Sequence, residues 1–138
     1  MGNEGNIRLK YFICALGKIT IGIPAEQTER IVSVTRAQGA VCETENGEVF
    51  ISLPMLLRKE DGSAPHGIVL KSSAGESSPV KTVLLTPRID MELEIPEEGI
   101  HSLPKAFAGV FRHCRGAHCT GHSVILILDP EKLTESIL

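Results

Sequence analysis

Apolar residues in this chain occur in short runs separated by proline and glycine, a pattern typical of β-strands joined by turns. The clearest stretch is VKTVLLTPRIDMELEIPEEGIHSLP, residues 80–104. It predicts a strand over 80–86, a break at Pro87 and a second strand over 91–95, because proline cannot donate a hydrogen bond inside a central ladder. Pro96 then opens a turn.

The same order of elements occurs earlier in the chain. ITIGI predicts a strand, the following IPAEQTER a corner, and IVSV a second strand. The corner and strand at 24–34 therefore follow the strand at 19–23 in the same way that the corner and strand at 87–95 follow the strand at 80–86. The pattern of a strand, a proline corner and a strand is written twice.

The ends of the two halves also match. Residues 46–57, NGEVFISLPMLL, and residues 121–133, GHSVILILDPEKL, each give a turn, an apolar strand, a proline and a short helix. In the second copy Asp129 precedes the proline and is a suitable N-cap for the helix. The sequence therefore predicts an internal duplication covering most of the chain.

Adding the weaker runs gives about five strands and one short helix in each half. The other predicted strands and helices are Arg8–Leu16, 29–34, 40–42, Glu48–Ser52, Pro54–Arg58, 66–71, 107–114, Ser123–Leu128 and 129–138. The strongest hairpin signal is Asn46-Gly47, because a type I′ turn needs positive φ at both positions.

Each half is too small to bury a convincing core alone, so the two halves are expected to share one. The predicted fold class is all-β, with two five-stranded β-barrels packed together in a single domain over 7–138. The first barrel is expected at about 7–58 and the second at about 66–138. Residues 1–6 are predicted to be disordered.

The composition argues against several classes of binding partner. The 138 residues carry a net charge of -3, with no Trp and few other aromatic residues, so neither a nucleic acid nor an anionic membrane surface is expected to bind. No apolar run approaches the roughly 18 residues that span a bilayer, and no signal peptide is recognisable. The sequence therefore predicts a cytoplasmic protein whose four cysteines are free thiols.

The sharpest chemical feature is HCRGAHCTGH, residues 113–122. Cys114, His118, Cys119 and His122 are ligand types that suit a tetrahedral transition-metal site, although their spacing matches no standard template. The same residues also offer a cysteine nucleophile with a histidine base, but no nearby Asp or Asn would orient the imidazole. The simpler interpretation is a glycine-rich turn with exposed histidines, so no metal and no cofactor are predicted.

Two phrases in the second half resemble a known family. LLTPRIDMELEIPEEGIHSLP and the ending SVILILDPEKL are similar to the CheW-like domain of bacterial chemotaxis scaffolds, and the first half resembles it more loosely through YFICALGKITIGIPAEQTERIVSV. The similarity spans residues 11–133. It implies two SH3-like barrels and a non-enzymatic adaptor that joins chemoreceptor cytoplasmic tips to a CheA-type histidine kinase. The alternative is a metal- or thiol-redox-sensing variant that uses the hairpin from His113 to His122.

The first half departs from the family where the resemblance places a partner contact. Family members have Asn-Leu-Arg-Gly before the fifth strand, whereas this chain has Thr-Glu-Asn-Gly at 44–47 and keeps only the glycine. A binding module needs an exposed apolar patch or an unpaired strand edge. For Val41 and Val49 a place in the core is equally compatible with the pattern. The predicted partner-binding residues are Ile31, Val34, Val41, Glu45, Asn46, Gly47 and Val49.

Overall fold

A computed structural model of the chain describes residues 7–34, 41–43, 48–58, 64–71, 81–103 and 112–137. Short 3-10 turns lie at Ala25–Gln27 and Glu97–Gly99, and a short π-helical segment at Pro54–Arg58. The strands are β1 (Arg8–Leu16), β2 (Ile19–Pro24), β3 (Thr28–Ser33), β4 (Val41–Glu43), β5 (Glu48–Ser52), β6 (His66–Leu70), β7 (Lys81–Thr86), β8 (Met91–Pro96), β9 (Cys114–Thr120) and β10 (Ser123–Leu128), and the α-helix is α1 (Pro130–Ile137).

The first compact unit is built on sheet A, a five-stranded sheet in the order β8-β1-β2-β10-β9. Strands β1 and β2 form a hairpin whose turn is Gly17-Lys18, with Gly17 at φ 70. Only β2 and β10 run parallel, while the other neighbours are antiparallel. Inside the sheet lies a cluster formed by Tyr11, Ile13, Ile95, Ile125 and Ile127.

The segment after β8 brings the two edges of sheet A together. His101 pairs with Ala117 of β9 through two backbone hydrogen bonds, each 2.8 Å long. This approach requires glycine at position 116, because a Cβ there would lie 2.6 Å from the carbonyl oxygen of His101. The segment that follows the edge strand β8 therefore pairs with the opposite edge strand, β9, as in a small barrel.

The second compact unit runs from Gln27 to Ile89 and is built on sheet B, in the order β3-β6-β7-β5-β4. Strands β5 and β7 are parallel, and the other three neighbouring pairs are antiparallel. Val69, Val83 and Leu85 form its buried cluster, with Val32 and Val34 packed against it. The predicted all-β class with two five-stranded, SH3-like units and a short helix after each half is confirmed.

The two sheets match strand by strand, which agrees with the predicted duplication. In order across the sheets, β8 corresponds to β3, β1 to β6, β2 to β7, β10 to β5 and β9 to β4, and each sheet has its parallel pair between the third and fourth strands. The correspondence of 19–34 with 80–95 predicted from sequence is the correspondence of β2 and β3 with β7 and β8.

The sheets do not, however, divide the chain at the predicted barrel boundaries of 7–58 and 66–138. Sheet A takes β1 and β2 from the first half and β8, β9 and β10 from the second, and sheet B takes the remainder. The chain leaves the first unit after Glu26 and returns to it at Asp90. A proline corner ends a strand, but it does not specify whether the next strand pairs locally or joins another sheet.

Tyr11 provides a test of the sheet A core. Its side chain is fully buried, and its hydroxyl is the one buried side-chain polar atom in the described residues that makes no hydrogen bond. Burial raises the pKa of this hydroxyl above its usual value, so it stays protonated at neutral pH. An unpaired buried polar group costs about 1–3 kcal/mol. We therefore expect Tyr11→Phe to raise the free energy of unfolding by about 1 kcal/mol in chemical denaturation; a destabilised variant would contradict this.

Candidate partner-binding surface

The structure separates the predicted partner-binding residues into different environments. Ile31 lies in β3 with 45% of its side chain exposed, and Val34 is half-buried against the sheet B core. Val49 is only 2% exposed, so its assignment to a surface patch was wrong and it is a core residue. The side chains of Val41, Glu45, Asn46 and Gly47 lie outside the described part of the chain.

Two charged residues, Glu29 and Arg30, precede Ile31 on β3, which is an edge strand of sheet B. The Nζ atom of Lys81 donates a 2.5 Å hydrogen bond to Glu29, and Arg30 donates to the same carboxylate at 3.1 Å. The hydrogen bond from Lys81 lowers the pKa of Glu29 below its usual value. The pairing of β3 with β6 also shifts register between Thr28 and Arg30. Charges and a bulge discourage generic strand addition at an edge.

The matched position in sheet A shows which type of residue the fold accepts in place of Ile31. Ile31 lies opposite Ile68 of β6, and the corresponding pair in sheet A is Glu94 of β8 opposite Lys10 of β1. Glu94 and Lys10 are exposed, whereas Ile68 is fully buried. A position that the fold fills with a charged residue in one sheet therefore carries an exposed isoleucine in the other.

Three further apolar side chains are more than half exposed in the described residues, namely Ile7, Met91 and Val124. Hydropathy along the sequence does not distinguish them from buried residues. Val124 belongs to the apolar run SVILIL, in which hydropathy alone does not show which side chains face outward. Its partner across the ladder, the exposed Cys119, was the available signal, because residues directly opposite in a sheet share a face.

The His/Cys stretch is a strand and a tight turn. The predicted strand over 107–114 is wrong at its end, because Arg112 and His113 form a turn and β9 begins at Cys114; residues 107–111 lie outside the described part. The hairpin turn is Gly121-His122, with Gly121 at φ 63. Most of the stretch therefore pairs with β10 and is held extended.

The four potential ligands are spread along this hairpin. Cys114 is buried and Cys119 is exposed, while Nδ1 of His118 is 2.8 Å from the carbonyl oxygen of Gly99. His122 lies in the exposed turn. Within the described residues, no three or more His, Cys, Asp or Glu side chains are grouped so that they could hold a metal ion.

Burial sets the chemistry of two groups at the start of β9. It raises the pKa of the Cys114 thiol to about 11, so this sulfur is a neutral thiol at physiological pH rather than a thiolate nucleophile. Burial, together with the nearby charge of Arg112, lowers the pKa of His113 below its usual value. Both pKa shifts have burial as their main cause, as expected where the start of a strand is packed.

The two thiols of β9 should therefore differ in reactivity. We expect iodoacetamide at pH 8 to modify Cys119 about 100-fold faster than Cys114, because only the thiolate reacts and Cys114 is both buried and protonated. Peptide mass spectrometry distinguishes the two sites, and Cys119→Ser should remove the fast reaction from this strand. Equal modification rates would show that the strand does not hold Cys114 as described.

Comparisons with known proteins bear on the fold. No protein-family model matches the chain, and no curated protein matches it. Among solved structures, the chain is similar to the scaffolding protein CheW of Thermoanaerobacter tengcongensis, with a TM-score of 0.66 and 13% sequence identity. The match covers 94% of this chain and 89% of the other. This chain has a CheW-like fold.

The CheW-like fold confirms, at the level of structure, the resemblance that the sequence carries clearly in its second half and more loosely in its first. The phrases that carry it form β7, β8, β10 and the start of α1 in the second half, and β1, β2 and β3 in the first. Among the residues described, no helix is both long enough and apolar enough to cross a membrane.

Proposed function

We propose that this protein is a non-enzymatic, cytoplasmic adaptor of bacterial chemotaxis, which couples chemoreceptor cytoplasmic tips to a CheA-type histidine kinase by protein contacts. The observation that carries the proposal is the similarity to a scaffolding CheW over 94% of the chain. The thiol of Cys114 is buried and protonated, so it is not activated as a nucleophile. This agrees with a role in binding. The chain acts by holding two partners in a fixed geometry.

We place one partner contact at Ile31, on the edge strand of sheet B. Exposed apolar side chains that the fold does not require are the usual anchors of protein contacts. Ile31 meets this description, because sheet A has the exposed Glu94 at the matched position. The ion pairs of Glu29 with Lys81 and Arg30 supply a polar rim beside it.

Ile31→Glu is therefore expected to weaken binding without unfolding the protein. The variant should still fold, because Ile31 is 45% exposed, but its melting temperature should fall by a few degrees, because Ile31 lies opposite the fully buried Ile68 and Glu94 of sheet A lies opposite an exposed lysine. We expect the Kd for a receptor or kinase fragment to rise at least about 10-fold, which is about 1.4 kcal/mol and typical of an interface anchor. Isothermal titration calorimetry with each fragment measures it.

Val124→Glu is the matched control, because it removes an equally exposed apolar side chain from sheet A. It should leave the affinity that depends on Ile31 unchanged. If Ile31→Glu folds normally and binds both fragments as tightly as the unmodified chain, β3 is not the contact. If the unmodified chain binds neither fragment, the adaptor role itself is wrong.

A further inference from the structure

Strand β8 forms an open edge of sheet A. On one side it pairs with β1 in a continuous antiparallel ladder over residues 91–96. The opposite edge strand, β9, is partly covered, because Ala117 pairs with His101. Within the described ranges, no strand pairs with the outer side of β8. An extended segment from a partner can therefore add to sheet A at β8 without displacing a described strand.

The register of β8 with β1 shows which backbone groups face the open side. The amide of Glu97 donates to the carbonyl oxygen of Ile7 at 2.8 Å, which makes these residues a hydrogen-bonded pair. Such pairs recur at every second residue of an antiparallel ladder. Glu92 and Glu94 lie at the intervening positions, so their N–H and C=O groups point away from β1. These four groups form the hydrogen-bonding edge that a partner strand would use.

The side chains of β8 alternate between two faces of the sheet. Glu92 and Glu94 are exposed on one face, and neither carboxylate makes an ion pair or a side-chain hydrogen bond in the described part of the chain. On the other face, Met91 is 55% exposed and Leu93 packs against the core cluster of sheet A. A segment added at this edge therefore meets two unpaired carboxylates on one face and an apolar surface on the other.

The charges on β8 distinguish between possible partners. A second copy of the chain, paired through its own β8, would bring Glu92 and Glu94 against the same residues, and like charges directly opposite in a sheet are destabilising. A neutral segment would leave both carboxylates without a counter-charge. A segment with Lys or Arg at every second position places a cation opposite each carboxylate. Charge complementarity therefore favours a basic segment over a second copy.

We propose that β8 binds an extended segment of a partner protein in which Lys or Arg alternates with apolar residues, added to sheet A as an antiparallel strand. The basic side chains lie opposite Glu92 and Glu94, and the apolar residue between them lies opposite Leu93. The backbone edge supplies affinity, and the carboxylates select the sequence. This contact belongs to sheet A and goes beyond the adaptor function, since it requires neither a receptor nor a kinase.

A short fluorescent peptide of alternating lysine and valine is the probe for the full chain. In the added strand the lysine amides face β8 and the valine amides face away. Methylating the lysine amides should therefore abolish binding, whereas methylating the valine amides should retain it. Fluorescence anisotropy measures each Kd. The amide hydrogen exchange of Glu92 and Glu94 should slow when the unmethylated peptide binds, because both amides become hydrogen-bonded.

Charge reversal on the protein tests the selectivity. Glu92→Lys should raise the Kd of the lysine peptide at least about 10-fold, because an attraction becomes a repulsion at the contact. Glu131→Lys is the matched control, since it makes the same change in net charge at an exposed position of α1. It should leave the Kd within about two-fold, because charges far from the contact are screened by salt.

Three results would overturn the proposal. The first is no binding of the lysine peptide to the unmodified chain. The second is equal affinity for the two methylated peptides, or equal affinity of the two variants, which would show charge attraction without strand addition. The third is an unmodified chain that light scattering shows to be a dimer and that Glu92→Lys makes monomeric, which would assign the edge to a second copy. None of these measurements involves a receptor or kinase fragment, so this contact and the adaptor function can fail separately.

Discussion

Replacing Gly116 by alanine is expected to lower the free energy of unfolding by about 3 kcal/mol, as the sum of overpacking and lost backbone hydrogen bonds. A Cβ at this position would lie 2.6 Å from the carbonyl oxygen of His101 and 2.9 Å from Cγ2 of Ile100. The first of these is a backbone atom and cannot rotate away. The strand must therefore move apart from residues 100–101, which breaks the two hydrogen bonds between His101 and Ala117.

Gly22→Ala is the matched control, because Gly22 also lies in sheet A and faces a crowded core. There the nearest atoms are the ends of the Ile125 and Ile127 side chains, each 3.2 Å from the added Cβ. Side-chain ends can adjust by a few tenths of an ångström, so the expected cost is smaller. Chemical denaturation of both variants gives the comparison, and equal losses would mean that His101 does not close sheet A through β9.

Ending the chain at Asp129 is expected to cost at least about 3 kcal/mol, because it removes a fully buried leucine with the helix that carries it. Leu133 of α1 has no exposed surface, and its amide donates to the carbonyl oxygen of Asp129 at 3.0 Å. The helix start is well defined, since Oδ1 of Asp129 accepts hydrogen bonds from the amides of Glu131 at 3.0 Å and Lys132 at 3.3 Å. This confirms the predicted N-cap.

Leu133→Ala isolates the packing contribution and should cost about 2–5 kcal/mol on its own. Lys132→Ala is the control on the same helix, because Lys132 is exposed and alanine is an equally good helix former. Removing residues 1–6, which the sequence predicts to be disordered, should cost less than removing the helix. Equal melting temperatures for the two truncated chains would show that α1 does not contribute to the core.

Local sequence predicted most of the strands because each strand here is a short apolar run with a chemically defined end. Glu48–Ser52 and Arg8–Leu16 have the predicted bounds, and the proline breaks after β2 and β7 occur where expected. The duplication was also recognisable, since the matched strands keep the same spacing from their prolines. These features depend on backbone chemistry that is local to each segment.

The assignment of strands to sheets depended on information that the sequence does not carry locally. Pro24 and Pro87 mark places where the chain leaves one sheet for the other, but the same residues also fit a corner within a single barrel. The alignment of the halves was correct, and the inference that each half forms its own barrel was wrong. Pairings such as β2 with β10 join residues about a hundred positions apart, beyond the reach of any local pattern.

The partner surface was predicted only in part, for a related reason. Ile31 and Val49 are both aliphatic residues in strands of the first half, and hydropathy does not distinguish them. Val49 lies on β5 between β4 and β7, inside sheet B, whereas Ile31 lies on the edge strand β3. Exposure therefore depends on the face that a residue occupies as well as on the position of its strand, since Val32 on β3 packs against the core. The proposed turn at Asn46-Gly47 lies outside the described residues and remains a prediction.

The adaptor role is tested most directly by asking whether one molecule of the chain holds both partners at once. A chemoreceptor-tip fragment, a CheA-type kinase fragment and the full chain are mixed and passed over a sizing column with light scattering, alongside each pair of components. We expect a three-component complex whose assembly requires the chain. Absence of that complex, with the chain eluting free of both fragments, would contradict the proposed function.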